Sequence, residues 1–360
     1  MDLSSKKKII FFNLLTFAGV FVVLIGFFEI GLRLVGRTSD NFLKQDAVLG
    51  WTHVPNKKGW SVTREYRVPV QLNNFGLVGP DTSLEKPAET FRVAFVGDSF
   101  TEAFQVETEA AFPRVIEKRV NDLGKKVETL NFGVTSYGTV KEDWVIKNSA
   151  LRFNPDLIVL GYFVGNDFAD NLAGDINPTA QFSSRKKFTN SVKLWFRNHS
   201  VAYRWFLEKK SRNAFLSDPA PVFVPAIYGP NSIFGSKYSS AAEEGMAKTK
   251  TYLKNISDIL REQDINFLVL ILPAKEQVHE RLRSSEDSNL DWEKPNRMLK
   301  EFFEQEKIAY LDTLPTFQSW AKINPEGLAF FKFDGHPNET GHFLIAKGIL
   351  NYLDQYFYGK

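Results

Sequence analysis

The chain contains no cysteine. Disulfides, thiol nucleophiles, cysteine-held zinc and iron–sulfur clusters are therefore all excluded, and any nucleophile must be an oxygen or a nitrogen. A marked excess of charge of one sign is also lacking. Against 42 acidic residues stand 45 basic ones, a formal net charge of +3 over 360 residues, which is no electrostatic footprint for nucleic acid. Neither a dinucleotide-type glycine fingerprint nor a phosphate-binding loop follows the first apolar strand, so no nucleotide is expected, and no other cofactor or metal is assigned. Histidine is limited to His53, His199, His279, His336 and His342, a short list from which to choose a base. What the chain does have is apolar bulk: 43% hydrophobic residues, 33 of all residues being Phe, enough to build one large domain or two and to argue against disorder.

The N-terminus carries the longest apolar run. From Ile9 to Phe28 only Asn13 and Thr16 are clearly polar, and at about 1.5 Å per residue a helix of that length spans a hydrocarbon core of about 30 Å. No small-x-small cleavage site lies between Gly26 and Gly36, so a retained anchor is expected rather than a removed signal peptide. Glu29 and Arg33 sit at i,i+4 spacing, suited to a charge pair where the helix leaves the membrane. Lys6, Lys7 and Lys8 with the terminal amine outweigh Arg33 and Arg37, which places the N-terminus in the cytoplasm and the rest of the chain outside it.

Beyond the anchor, assigned to residues 1–37, a stem rich in Pro, Gly, Asn and Lys occupies 38–90, with Tyr66 to Leu72 as a short edge strand. Residues 91–360 then alternate strand-like and helix-like segments. Strands are expected at Phe91–Val96, Val127–Phe132, Leu157–Val164, Ile265–Leu272 and Ile308–Leu311. Helices are expected at Phe112–Leu123, Val140–Leu151, Ala241–Gln263, Asn296–Glu306 and Glu339–Tyr356. Near-continuous apolar strands separated by helices imply a buried parallel sheet with helices on both faces. Between about 174 and 240 the alternation stops, and this long insertion is expected to cap or border a site.

In an open parallel sheet the site lies at the carboxyl ends of the strands. The first strand runs into Gly97-Asp98-Ser99-Phe100-Thr101, the second into Asn131-Phe132-Gly133-Val134, the third into Gly165-Asn166-Asp167. A serine on a strand-to-helix turn presents its hydroxyl at the sheet edge, with a backbone N–H free for an oxyanion. Taken alone it also reads as a helix cap. Gly133 permits close backbone approach, and the Asn166 amide is a donor for developing negative charge. Near the C-terminus, Asp334-Gly335-His336 precedes the last helix. In an extended segment Asp334 and His336 point the same way, so the carboxylate can orient the imidazole toward Ser99. His342, in the first turn of that helix, reads as packing.

This set of blocks resembles the SGNH/GDSL hydrolase family, over about Phe91 to the C-terminus and in the family's order. The resemblance implies a three-layer α/β/α flavodoxin-like fold and serine esterase chemistry. Ser99 would be the nucleophile, His336 the base and Asp334 its orienter, and Ser99 N–H, Gly133 N–H and the Asn166 side chain would form the oxyanion hole. The family's usual last block is Asp-x-x-His. The single intervening residue here is similar to the Asp-x-His of SGNH-like polysaccharide O-acetyltransferases, including those of alginate modification, so hydrolysis and acyl transfer both remain open, as does a silent envelope scaffold. The implied substrate is an acylated carbohydrate or another ester, with envelope polysaccharide-modification proteins as possible partners.

Reporter fusions made after Asp40 are expected to be active only as extracytoplasmic reporters. Activity of a reporter that works only in the cytoplasm would overturn the orientation.

Overall fold

Strands that are apolar on both faces are buried only in the middle of a layered structure, and such strands form the centre of this chain's five-stranded sheet. The computed structural model describes residues 3–36, 38–173, 192–193, 195–197, 199–207, 209, 233–235, 237–283 and 290–358. It divides into two units, Met1–Asn41 with Phe182–Pro219, and Phe42–Gln181 with Ala220–Lys360.

In the first unit, α1 spans Leu3–Val35. Its segment Ile9–Val35 has a mean hydropathy of 2.5 and is not buried by protein, so it is long and apolar enough to cross a membrane. Glu29 accepts from Arg33 Nε at 2.8 Å, as the i,i+4 spacing predicts. It accepts as well from Ser200 Oγ, Val201 N and Ala202 N at 3.0, 2.9 and 2.8 Å. Those bonds cap a helical stretch at 201–207, and Trp205 packs edge-on against Phe28 at 5.3 Å. The described middle of the insertion is thus tied to α1. Much of that insertion, including Ser183 to Lys187 and Pro219 to Pro230, lies outside the described residues, and with it most of the expected cap, while Ile233 and Phe234 near its end are buried in the core of the second unit.

The second unit begins with two antiparallel hairpins, β1 (Leu43–Asp46) with β2 (Gly50–His53) and β3 (Lys58–Val62) with β4 (Arg67–Gln71). The expected edge strand is the last of these, and the other three were not anticipated. Leu49 and Leu77 of this region are buried in the central core. The sheet follows, with β5 (Phe91–Gly97), β6 (Val127–Asn131), β7 (Leu157–Phe163), β8 (Asn266–Leu272) and β9 (Ala309–Asp312) all parallel in the order β6-β5-β7-β8-β9. Relative to its own first strand this is the 2-1-3-4-5 order of flavodoxin-like sheets.

Connecting helices are α2 (Ser99–Glu102), α3 (Phe112–Asp122), α4 (Thr139–Asn148), α5 (Asp167–Ala173), α6 (Ser240–Glu262), α7 (Lys275–Val278), α8 (Lys294–Glu306), α9 (Leu314–Ile323) and α10 (Glu339–Tyr358). The β5-α3-β6 and β6-α4-β7 crossovers run in opposite directions across the sheet. Right-handed connections therefore put their helices on opposite faces. Accordingly α3 packs with α10, while α4 and α5 pack with α6. The three-layer α/β/α fold expected from the alternation is what the chain adopts. Helices α5, α7 and α9 were not anticipated from the sequence; α9 starts at Leu314 with Pro315 in its first turn and buries Leu314 and Phe317, and its Pro, Thr and Ser content hides the helical pattern.

Candidate active site

Because the chain departs from β5 toward both sides of the sheet, the carboxyl ends of β5, β6 and β7 border one crevice. At the end of β5 the chain turns directly into α2. Asp98 caps this turn, its Oδ1 accepting from Phe100 N at 2.8 Å, as the helix-cap reading of the motif has it. Ser99 takes the first helical position, where its backbone N–H lacks an intrahelical acceptor. Its side chain is buried at the crevice edge.

The imidazole that meets Ser99 comes from the far end of the chain. His336 Nε2 lies 2.8 Å from Ser99 Oγ, and His336 Nδ1 lies 2.5 Å from Asp334 Oδ1. An ionised Asp334 only accepts, so Nδ1 carries the proton and, in the neutral ring, Nε2 accepts from the serine hydroxyl. The local geometry differs from the expected extended segment. Gly335 has φ +87°, its N–H bonds Phe331 O at 3.0 Å, and Phe331 N bonds His336 O at 2.9 Å. Only glycine takes that conformation without strain, and the resulting tight turn is what sets carboxylate and imidazole side by side.

Burial pushes the Asp334 carboxyl up, but hydrogen bonds from His336 and Tyr66 and the imidazole charge hold it below the usual carboxylate range. Burial pushes His336 down, and here the bond to Asp334 with the Asp334, Asp98 and Glu102 charges prevails and raises it. Of the other histidines, His342 is fully buried against Phe112, accepts from Phe112 N at 3.4 Å, and is pushed down to about 3 by burial and the His336 charge. It stays neutral and packs. His53 bonds Glu102 Oε1 at 2.7 Å and Gly76 O at 3.0 Å, while His279 Nε2 accepts from Ala329 N at 3.3 Å. His199 bonds Trp195 O in the first unit.

The two remaining oxyanion candidates are both engaged. Gly133 N donates to Asn131 Oδ1 at 2.9 Å, and Asn131 Nδ2 donates to Thr101 O at 2.7 Å. A Cβ at position 133 would run into the Glu102 backbone, so this glycine is required by the close approach of the β6 loop to α2. Asn166 Nδ2 gives one hydrogen to Asp170 Oδ2 at 2.9 Å, which leaves the second amide hydrogen for a ligand.

Asp98, Glu142, Asp167 and Asp170 form a group of buried acids that act on one another, of which the sequence reading names only Asp98 and Asp167. Burial pushes Asp98 up to about 7 despite the Phe100 N–H and His336, with the Asp170 and Glu102 charges adding to it. Burial likewise pushes Asp170 up to about 6 against the opposing Lys141 charge. Glu142 and Asp167 are raised well above their usual range by burial and by neighbouring carboxylates. Also missed were Tyr66, whose hydroxyl donates to Asp334 Oδ2 at 3.1 Å, and Glu65, whose Oε2 accepts from Phe333 N and Asp334 N at 2.9 and 2.7 Å. No spacing rule links residues so far apart in the chain.

No family model matches this chain, and no curated protein matches it. Similar solved structures include the acetyl xylan esterase AlAXEase, 16% identical with TM-score 0.44, covering 73% of this chain and 100% of that one. Axe2, an acetylxylan esterase from Geobacillus stearothermophilus, is 10% identical with TM-score 0.41, covering 72% and 93%. A candidate lipolytic protein of the G-D-S-L family from Desulfitobacterium hafniense DCB-2 is 13% identical with TM-score 0.39, covering 72% and 98%.

Asp98 titrates near 3.8 when unfolded and near 7 when folded, so the folded state holds its proton more tightly. Below the unfolded value both states are protonated. As pH rises from about 4 to about 7 the unfolded chain gains by ionising and stability falls, levelling above 7. Asp98→Asn keeps an acceptor for Phe100 N and never ionises. Measured by chemical denaturation, the variant's stability relative to wild type is expected to improve from about pH 4 to 7 and then stay level, whereas a pH-independent difference would contradict the buried proton.

Proposed function

We propose that this chain is a membrane-anchored serine esterase of SGNH type that hydrolyses acyl esters, O-acetyl groups in particular, of a cell-envelope carbohydrate. The observation that carries this reading is the continuous relay from Ser99 Oγ at 2.8 Å to His336 and at 2.5 Å to Asp334, at the carboxyl edge of a parallel sheet. His336 Nε2 takes the hydroxyl proton as Ser99 Oγ attacks the acyl carbon. Asp334 stabilises the imidazolium that forms. Charge developing on the carbonyl oxygen is met by Ser99 N–H and the second amide hydrogen of Asn166, with Gly133 N–H joining once it leaves Asn131 Oδ1. Collapse breaks the bond to the sugar oxygen, which takes the proton from His336 and leaves as a hydroxyl, and water then releases the acyl group by the same steps in reverse. The apolar helix α1 supports anchorage, and the basic residues before it support an extracytoplasmic catalytic unit.

The Asp-x-His spacing favours one second reading, an O-acetyltransferase that passes the acyl group from Ser99 to a polysaccharide hydroxyl. A silent scaffold is disfavoured, since it has no chemical use for an assembled relay. Incubating the full chain in detergent with a chromogenic acetyl ester, with and without an oligosaccharide acceptor, separates these by the mass of the products. Ser99→Ala and His336→Ala are each expected to remove nearly all turnover, and the double variant little more, because the residues act as one unit. Asp334→Asn should be milder, and Asn166→Ala should raise the barrier by about 3 kcal/mol, the scale for one oxyanion donor. Loss of acylation in a folded His342→Ala variant, with His336→Ala active, would overturn the assignment of the base.

A further inference from the structure

A carboxylate orients an imidazole only if the carboxylate is itself held. Asp334 Oδ1 serves both His336 Nδ1 and, at 3.4 Å, His336 N, which leaves Oδ2 to be satisfied from elsewhere. Its donor is the hydroxyl of Tyr66 at 3.1 Å, and Glu65 Oε2 receives the backbone N–H groups of Phe333 and Asp334. On either side of these bonds, the Tyr66 ring packs on Phe331 at 4.9 Å and the Arg64 guanidinium lies over the Phe333 ring at 3.2 Å. Three consecutive residues of the β3–β4 turn therefore grip the loop that carries the base. The turn is itself braced: Thr63 N bonds Tyr66 O at 2.9 Å, and Thr63 Oγ1 accepts from Glu65 N at 3.1 Å.

We propose that the β3–β4 turn of the stem belongs to the catalytic apparatus, with Tyr66 and Glu65 as positioning residues that hold the Asp334 carboxylate and backbone so that His336 faces Ser99. This rests on reading Ser99, His336 and Asp334 as a relay. Burial and the Asp334 charge raise the Tyr66 phenol well above its usual value, so it remains a donor throughout the working range. As a donor it offsets part of the Asp334 charge felt by His336. The other charged or titratable groups acting on His336 are Asp98, Glu102 and His342, and none of them is altered by replacing Tyr66.

The test uses the full chain in detergent. Tyr66→Phe keeps the ring on Phe331 and removes only the hydroxyl. It is expected to lower kcat for a small acetyl ester roughly tenfold, the scale for losing a bond that orients a reacting group, with KM little changed. In the free protein, the His336 titration followed by NMR of labelled histidine is expected to move to higher pH, because the donor that offset Asp334 is gone. Glu65→Gln retains the acceptor and should keep most activity, whereas Glu65→Ala should lose it as Tyr66→Phe does. Wild-type kcat together with an unmoved His336 titration in Tyr66→Phe would overturn the proposal, even if the variant were less stable. The two readings fail separately. A wild-type chain that turns over no ester sinks the esterase reading, yet a shifted His336 would still support the turn's role.

Discussion

The hydrogen bond between His336 Nδ1 and Asp334 Oδ1 decides which ring nitrogen is free, and the rest of the site depends on that decision. A proton on Nδ1 leaves Nε2 as the basic atom, facing the hydroxyl of Ser99. Both groups are drawn from water, where the bond would be weak and its geometry loose, into a place where unpaired charge is costly. The sheet order makes the meeting possible. It places the end of β5 beside the loop before α10, although 237 residues separate Ser99 from His336. The Gly335 turn then sets the two partners against each other, and the stem hairpin closes the far side of the carboxylate.

The surroundings of Ser99 carry an electrostatic cost. Asp98, Glu142, Asp167 and Asp170 are crowded into low-dielectric protein, and burial raises all four. A protonated acid is tolerated there far better than an ionised one. Asp98 is the member closest in role to the chemistry, because it caps α2 and its charge raises His336. With Asp98 near 7, its ionisation enters or leaves the field on the base around neutrality. The same residue thus links the position of Ser99 to the affinity of His336 for its proton.

The layered fold was legible because the strands of the parallel sheet are apolar on both faces, as in Val93-Ala94-Phe95-Val96 and Leu157 to Tyr162, all fully buried or nearly so. Strand β1 was not, since Leu43-Lys44-Gln45-Asp46 offers neither alternation nor an apolar run. Ser99 could be placed by a general rule, that chemistry sits at the carboxyl ends of parallel strands, whereas Asp334 and His336, which follow α9 and not a strand, were picked out by their pairing just ahead of the last helix. Their local geometry could not be read in this way. An extended Asp-x-His was expected, and an Asp-Gly pair before His336 was the available sign of a turn. Glu65 and Tyr66 were invisible for a different reason, because their role arises only when a hairpin near the N-terminus meets a loop near the C-terminus. The bond from Gly133 N to Asn131 Oδ1, by contrast, spans only two residues and is a local Asx-type turn, whereas the bond from Asn131 Nδ2 to Thr101 O depends on packing between the β6 loop and α2.

If Ser99 attacks through His336, an acetyl group must rest on Ser99 during turnover. Mixing the full chain with an acetyl ester, quenching in acid within the first turnovers and analysing the peptides by mass is the most direct measurement. Acetyl on the peptide containing Ser99, absent in Ser99→Ala and strongly reduced in His336→Ala, is the expected result. Acetyl on another residue, or undiminished labelling of Ser99 when His336 is replaced, would contradict it.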